Sequence, residues 1–227
     1  MKKTLRILRR GSAAEKAYWE DFPYETEDSA ATAATALTDL NARGADIAWE
    51  CSCLQKKCGA CAMVINGVPR LACDTVLSEL KGDVVTLEPL RKFPVVRDLQ
   101  VDRSAMTGQL SQLNVWLEQE AEDTGEETAF AAASCLRCGL CLEVCPNFAP
   151  GETFAGMSGM TALARLMAAA DREEMKRIAK DYRRGVYKGC GKSLACRDIC
   201  PAGIDLEELL VRSNAAAVWR RQRAVKI

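Results

Sequence analysis

The most informative absence in this sequence is histidine, which does not occur among its 227 residues. Without an imidazole there is no Ser–His or Cys–His catalytic dyad, no histidine general base, no Rieske-type cluster and no Cys₂His₂ zinc site. Aromatic residues are also scarce, at 6%. Metal chemistry on this chain is therefore expected to use sulfur, and the 12 cysteines offer ample ligands.

A charge excess and long apolar runs are missing as well. The 31 basic and 31 acidic residues cancel, whereas nucleic-acid binders usually carry a basic excess. The longest apolar run, Met160–Ala170, contains Arg165 and is shorter than the roughly 18 residues of a membrane span. The basic start lacks the apolar segment of a signal peptide, so none is expected.

The cysteines fall into three clusters, at Cys51–Cys73, Cys135–Cys145 and Cys190–Cys200. Cysteines this close along the chain cannot join distant segments by disulfides, so metal binding in a reducing compartment is the better interpretation.

The two halves of the chain predict different structures, with a domain boundary between residues 1–100 and 101–227. The first half is typical of a β-rich domain with one helix over Ala30–Ala42, ending at Gly44. Asn66-Gly67 predicts a type I′ hairpin between Ala62–Ile65 and Val68–Ala72. The second half is typical of helices, predicted with Gly185 as a C-cap and with Asp171 and Asp205 as N-caps. The predicted helices are Arg103–Glu120, Thr161–Ala170, Arg172–Arg184 and Leu206–Arg223, with an exposed acidic connection over Glu118–Glu127.

The first cysteine cluster has the spacing of a plant-type [2Fe–2S] site. The pattern is C-x₄-C-x₂-C-x₁₁-C, and it assigns as ligands Cys53, Cys58, Cys61 and Cys73. Gly59 and Ala60 are small enough to let backbone N–H groups reach the cluster. A structural zinc site usually needs two C-x₂-C knuckles, and only one is present. Cys51 is out of register and is interpreted as a free, partly buried thiol.

The other two clusters form a pair. The first, C-x₂-C-x₂-C-x₃-C-P, is the bacterial ferredoxin run, whose fourth cysteine serves the other cluster. The second has Ser193 where the middle cysteine would stand. Exchanging the fourth ligands assigns a [4Fe–4S] cluster to Cys135, Cys138, Cys141 and Cys200. It leaves three thiolates, which suit a [3Fe–4S] cluster, at Cys145, Cys190 and Cys196.

Three clusters in one chain indicate a relay for single electrons. The chain has neither a G-x-G-x-x-G fingerprint nor a P-loop, so substrate chemistry is expected on another subunit. A zinc-stabilised interaction module and a freely diffusing ferredoxin remain as alternatives.

The sequence resembles the iron–sulfur subunits of the succinate dehydrogenase/fumarate reductase (complex II) family. Besides the [2Fe–2S] pattern, the resemblance rests on VTLEPLRKFPVVRDLQVD at 85–102, SCLRCGLCLEVCP at 134–146, FAGMSGMTALARLMAAADRE at 154–173 and GCGKSLACRDICPAGIDL at 189–206. It implies an α+β chain, with an N-terminal β-grasp ferredoxin domain and a C-terminal α-helical ferredoxin domain.

The resemblance also implies partners and a place in the cell. The [2Fe–2S] cluster would face a flavoprotein subunit carrying FAD and the dicarboxylate site. The [3Fe–4S] cluster would face a quinone site beside membrane anchor subunits, which could contain haem, at the cytoplasmic face of the membrane. The iron–sulfur subunit of another flavoprotein complex, such as a thiol-linked fumarate reductase, is the redox alternative.

Two departures from the family pattern stand out. Leu54-Gln55-Lys56-Lys57 replaces the usual Arg-x-Gly-(Val/Ile), and two cations beside the cluster would raise its potential if they pointed inward. Solvated lysines or a docking contact are the other interpretations. Near the [3Fe–4S] cluster, Gly191 follows the first cysteine of the third group, where many members have histidine, and Pro150 lies near the tryptophan that many have shortly after the first Cys-Pro. The candidates for lining a quinone site are Pro146, Asn147, Pro150, Gly191 and Ser193.

Overall fold

The computed structural model describes residues 1–118 and 127–219. The chain divides into two compact units. The first comprises Met1–Arg103 together with Leu136–Glu143, and the second comprises Ser104–Cys135 and the chain from Val144 onwards. The division into domains at residues 100 and 101 stays a prediction.

A five-stranded mixed sheet forms the centre of the first unit. Its strands are β1 (Lys2–Arg9), β2 (Tyr18–Glu25), β3 (Ala62–Ile65), β4 (Val68–Leu71) and β5 (Val84–Glu88), in the order β2-β1-β5-β3-β4. Strand β1 is parallel to β5, and the other pairs are antiparallel. A separate two-stranded sheet pairs β6 (Val95–Arg97) with β7 (Gln100–Val101). Since side chains alternate along a strand, β1 buries Leu5 and Ile7 completely and exposes Arg6.

Helix α1 (Ala33–Ala42) has a defined cap at each end. At its start, the Thr32 hydroxyl accepts a hydrogen bond from Thr35 N, and the Thr35 hydroxyl accepts one from Thr32 N. At its end, Gly44 has φ +90°, its N–H bonds Asn41 O, and Ala45 N bonds Leu40 O. These are the bonds of a Schellman motif, so the predicted glycine stop is confirmed.

The predicted hairpin joins β3 and β4. Asn66 has φ +48° and Gly67 φ +74°, as both central residues of a type I′ turn require. The Asn66 side chain accepts a hydrogen bond from Thr86 N at 2.8 Å, which fastens the turn to β5.

The described helices beyond α1 are α2 (Ser104–Gln112), α3 (Glu127–Ala133), α4 (Leu140–Glu143), α5 (Gly156–Ala169), α6 (Arg172–Tyr182) and α7 (Leu206–Asn214). All except α4, which belongs to the first unit, lie in the second. Asp171 and Asp205 accept hydrogen bonds from backbone N–H groups in the first turns of α6 and α7, so both predicted N-caps are confirmed. Leu113, Met160 and Tyr182 are buried in the core of the second unit.

The helix predicted over Arg103–Glu120 is too long, because α2 ends at Gln112. Asn114 has φ +49°, which a helix does not allow, and its carbonyl accepts a hydrogen bond from Arg177 of α6. This tertiary contact draws the chain away from the helix axis. Most of the predicted acidic connection, residues 119–126, lies outside the described residues.

Gly185 is not a helix C-cap, contrary to the prediction. Helix α6 continues into a π-helical turn over Arg183–Tyr187, and Gly185 lies inside it. A Cβ at this position would lie 2.2 Å from Leu113 Cδ2, so glycine is needed for close packing. Helix α7 likewise continues as a π-helical turn over Ala215–Trp219, and the predicted end of that helix, at Arg223, lies outside the described residues.

None of the helices within residues 1–118 and 127–219 is long and apolar enough to span a membrane. The mixed sheet of the first unit and the helices of the second confirm the predicted α+β organisation.

Candidate metal centres

The β3–β4 hairpin brings together two cysteines of the first cluster. Cys61 immediately precedes β3, and Cys73 follows β4 in a short 3₁₀ turn over Ala72–Asp74. Ala72 N donates to Cys61 O at 3.0 Å, which joins the two ends of the hairpin. Burial raises the pKa of Cys61 and the neighbouring Cys73 thiol raises it further, and the assignment of both cysteines to one cluster stays a prediction.

The loop before the hairpin surrounds its cysteine sulfurs with backbone N–H groups. Gln55 N and Lys57 N donate to Cys53 Sγ, at 3.3 and 3.2 Å. Lys56 N donates to Cys73 Sγ at 3.3 Å, and Ala60 N to Cys58 Sγ at 3.5 Å. Such donors stabilise thiolates and compensate the negative charge that a cluster adds.

The pKa values of two thiols in this centre are shifted in opposite directions. Backbone hydrogen bonds from Gln55 and Lys57 lower the pKa of Cys53 to about 7, so its thiolate is readily available. Burial raises the pKa of Cys61 to about 12. Iron binding therefore has to drive the proton from Cys61, while Cys53 gives up its proton at little cost.

Left-handed backbone conformations recur in the cysteine loops. Five non-glycine residues of these loops have positive φ angles, of 52°, 60°, 52°, 56° and 55°, at Leu54, Lys56, Arg137, Lys192 and Leu194. Alternating right- and left-handed residues turn successive N–H groups towards one point, the arrangement seen around phosphates and iron–sulfur clusters. Strained conformations of this kind persist where function requires them.

Gly59 is required for a reason that the sequence did not indicate. A Cβ at Gly59 would lie 2.7 Å from Cys138 Cβ and 3.0 Å from Leu136 O. The loop of the first centre therefore touches a predicted ligand of the second centre, within the first unit. The sequence assigned Gly59 only to the approach of N–H groups to the cluster.

Arg103 supports the first centre and was missed by the sequence analysis. Its guanidinium pairs with Glu50 and donates to Ala60 O at 3.2 Å and to Ala62 O at 3.4 Å, on either side of Cys61. Because the side chain is largely buried, these bonds hold the C-G-A-C segment firmly. No sequence motif marks an arginine so far along the chain.

The extra cations of the cluster loop are not equivalent. Lys56 Nζ lies 2.7 Å from Asp74 Oδ2, so its charge is balanced beside Cys73. Lys57 is exposed and makes no side-chain ion pair with the described residues. Cys51 is exposed rather than partly buried.

The predicted ligands of the second centre are divided between the units. Cys138 and Cys141 belong to the first unit, where Cys138 is buried, and Cys135 and Cys200 belong to the second. The Glu143 carboxylate at the end of α4 accepts hydrogen bonds from Arg91 N and Lys92 N, at 3.0 and 3.1 Å. These bonds hold the Cys138–Cys141 segment in the first unit, and the set of four ligands stays a prediction.

The third centre is a cavity within the second unit. Its lining includes all three thiols assigned to the [3Fe–4S] cluster, Cys145, Cys190 and Cys196, together with Ser193. Burial raises the pKa of Cys196, and the neighbouring thiols Cys145 and Cys190 raise it further. Three cysteines that line one cavity fit a cluster that needs three protein ligands.

Four of the five predicted quinone-site residues also line this cavity, namely Pro146, Asn147, Gly191 and Ser193. Pro150 is not part of the lining. Asn147 Nδ2 donates to Gly189 O at 2.7 Å, and a Cβ at Gly191 would lie 2.9 Å from that nitrogen. Asn147 therefore occupies the space that a larger side chain at position 191 would need.

Known proteins match this chain over most of its length. The "2Fe-2S iron-sulfur cluster binding domain" family matches residues 4–108, and the "4Fe-4S dicluster domain" family matches residues 131–204. The succinate dehydrogenase iron-sulfur subunit of Bacillus subtilis is 33% identical, over 93% of this chain and 92% of its own length. This chain belongs to the succinate dehydrogenase/fumarate reductase iron–sulfur subunit family.

Two further matches agree with this family. The fumarate reductase iron-sulfur subunit of Wolinella succinogenes is 29% identical, over 90% of this chain and 92% of its own length. A chain of the Mycobacterium smegmatis Sdh1 complex in the apo form superposes with a TM-score of 0.81 at 27% identity, covering 99% of both chains.

Membership of the family confirms several predictions. The chain is an electron-transfer subunit of an oxidoreductase complex and carries [2Fe–2S] and [4Fe–4S] clusters, with [3Fe–4S] usual in the family and FAD on a partner subunit. The matches to two iron–sulfur domains favour iron over the zinc-stabilised alternative.

Proposed function

We propose that this chain relays single electrons between the FAD of a flavoprotein subunit and a quinone beside membrane anchor subunits. It would do so in a succinate:quinone or quinol:fumarate oxidoreductase at the cytoplasmic face of the membrane. In this proposal the three clusters supply one-electron carriers, and the chain's residues hold them in order.

The ligand sets proposed are those of the cysteine spacing. Cys53, Cys58, Cys61 and Cys73 hold [2Fe–2S], and Cys135, Cys138, Cys141 and Cys200 hold [4Fe–4S]. Cys145, Cys190 and Cys196 hold [3Fe–4S]. Pro146, Asn147, Gly191 and Ser193 are the proposed contacts for the quinone, supported by their place in the lining of the third centre. Pro150 is proposed from the sequence alone.

The observation that carries the relay is the close approach of Gly59 to Cys138. Gly59 lies between two proposed [2Fe–2S] ligands, and a Cβ there would meet the side chain of a proposed [4Fe–4S] ligand at 2.7 Å. Since these two ligand loops touch within one compact unit, an electron can pass between their clusters through few atoms.

The proposal is tested on the complex isolated from native membranes through a tag on this chain. Succinate should reduce both an artificial dye, which takes electrons at the flavin, and a quinone. With Cys196→Ser, reduction of the quinone should fall at least tenfold while reduction of the dye is retained. Cys51→Ser is the matched control and should retain both activities. Electron uptake from a dithiol instead of succinate would support the thiol-linked alternative and contradict the proposal.

A further inference from the structure

The loop of the first centre holds a lysine in an unfavourable backbone conformation. Lys56 has φ +60°, in the left-handed region where glycine is usual because the Cβ of any other residue is crowded. A lysine persists there only if surrounding contacts outweigh this cost.

Both ends of Lys56 reach the turn that carries the fourth cysteine. Its backbone N–H donates to Cys73 Sγ at 3.3 Å, and its ammonium lies 2.7 Å from the carboxylate of Asp74. Cys73 and Asp74 are consecutive residues of the short turn after β4. One residue therefore links the loop to this turn at two points, through backbone and side chain.

The adjacent lysine provides an internal comparison. Lys57 N donates to Cys53 Sγ at 3.2 Å, within its own loop. It is not among the described residues with positive φ, and its exposed ammonium makes no ion pair with the described residues. The two side chains carry the same charge at neighbouring positions, but the residues differ in the link to Asp74, in backbone conformation and in the sulfur that the backbone N–H reaches.

We propose that Lys56 and Asp74 form a positioning clamp for the [2Fe–2S] cluster. Their ion pair keeps the loop in its left-handed conformation and thereby holds the Lys56 N–H on the Cys73 sulfur. Hydrogen bonds to cysteine sulfur stabilise the more negative, reduced cluster, so the clamp helps to set its potential. Because Asp74 balances the lysine charge, the effect comes from geometry more than from net charge. The clamp rests on the ligand set proposed above.

The test uses the full-length chain with its clusters and four variants, Lys56→Ala, Lys56→Gly, Asp74→Asn and Lys57→Ala. The readouts are the EPR spectrum of the reduced [2Fe–2S] cluster, its midpoint potential and the rate of iron release to a chelator. Lys56→Ala and Asp74→Asn should change the EPR line shape and release iron about two- to fivefold faster, as expected for loss of a half-exposed ion pair.

Lys56→Gly should restore the native line shape, because glycine adopts the left-handed conformation without crowding. Lys57→Ala should keep the native line shape and only lower the potential through loss of a positive charge. Native spectra and release rates in both Lys56→Ala and Asp74→Asn would overturn the clamp. Equal and opposite shifts of potential in these two variants, with unchanged spectra, would show an effect of charge alone and would overturn it too. An identical EPR line shape in Lys56→Ala and Lys56→Gly would also overturn the clamp.

Cys73→Ser, measured alongside, separates the clamp from the ligand set. Loss of the [2Fe–2S] signal in this variant supports the ligand set. Native behaviour of the clamp variants would then contradict the clamp without contradicting the ligand set. A retained signal would overturn the ligand set.

Discussion

At the first centre the four proposed ligands lie within residues 53–73, and backbone N–H groups of the same stretch donate to the sulfurs of Cys53, Cys58 and Cys73. At the third centre Cys145 and the Cys190–Cys196 segment are far apart in sequence and meet in a cavity of the second unit. The ligands of the first centre thus come from one stretch of the chain that Arg103 supports from a distance, whereas the third centre needs two distant segments to meet.

The electrostatic settings of the two centres differ accordingly. In the first, exposed backbone donors lower the pKa of Cys53, whereas in the third, burial and neighbouring thiols raise the pKa of Cys196. The first centre therefore holds one readily ionised thiol, Cys53, whereas the metal must displace a proton from buried Cys61 there as it must from Cys196 in the third centre. Substitutions in the two centres should therefore have separate effects on iron content, spectra and stability.

Replacing Cys73 with serine should remove the [2Fe–2S] cluster. Iron should fall by about two atoms per chain, from about nine, because a hydroxyl is a poor ligand for this cluster. Metal analysis and EPR measure the loss. Cys51→Ser is the matched control in the same region, and its iron content should not change. If Cys51→Ser also lost two irons, the ligand assignment of the first centre would be wrong.

Ser193→Cys should convert the three-iron cluster of the third centre to a four-iron cluster. Ser193 lines the cavity together with the three cysteines, so a thiol there would supply the fourth protein ligand that a four-iron cluster needs. The EPR signal of the oxidised protein should disappear and the potential should fall. Ser193→Ala should leave the three-iron signal unchanged. A native spectrum in Ser193→Cys would contradict the proposed ligands.

Asp98→Asn should destabilise the first unit by about 3 kcal/mol, the cost of breaking a buried ion pair. The buried Asp98 carboxylate accepts hydrogen bonds from Arg9 Nε at 3.0 Å and from Ala48 N at 2.9 Å, and so anchors the chain that leads to the cluster loop. Thermal or denaturant unfolding measures the change. Asp21→Asn, which breaks the exposed pair with Arg6, should change stability little. Equal effects of the two variants would refute a special role for the buried pair.

Gly189→Ala should destabilise the second unit by about 1–3 kcal/mol through overpacking. The new Cβ would lie 2.4 Å from Cγ of Phe154, which lines the third centre. The three-iron EPR signal should broaden as well. Gly108→Ala is the control, since nothing lies within 4 Å of its Cβ. Being inside α2, it should stabilise by about 0.5–1 kcal/mol. A stable Gly189→Ala variant with a native spectrum would show that the third centre tolerates repacking.

Local signals in the sequence predicted the elements that depend on local chemistry. Gly44 ends α1 and Asn66-Gly67 forms the hairpin because each residue adopts a positive φ at little cost. Asp171 and Asp205 cap helices with their own carboxylates. Each of these features involves residues only a few positions apart.

Long-range contacts produced the differences from the predicted elements. The apolar periodicity of the sequence predicts that α2 continues past Gln112. In the structure the helix ends at Gln112, and Arg177 of α6 donates a hydrogen bond to the carbonyl of Asn114. As a glycine at the end of a helical pattern, Gly185 is typical of a helix C-cap. In the structure it makes room for the side chain of Leu113. Sequence spacing cannot reveal a partner that lies tens of residues away.

The sequence by itself determined the number and type of cysteine groups, the missing cysteine at Ser193 and the absence of histidine, and from these the class of electron carrier. Cysteine spacing predicts the type of cluster because cluster geometry limits how far apart the ligands of one loop can be. The tertiary structure decided which side chains support the centres: Arg103 around Cys61, Asp74 with Lys56, Asn147 beside Gly191, and Gly59 against Cys138. These contacts join residues distant in sequence, so packing alone creates them.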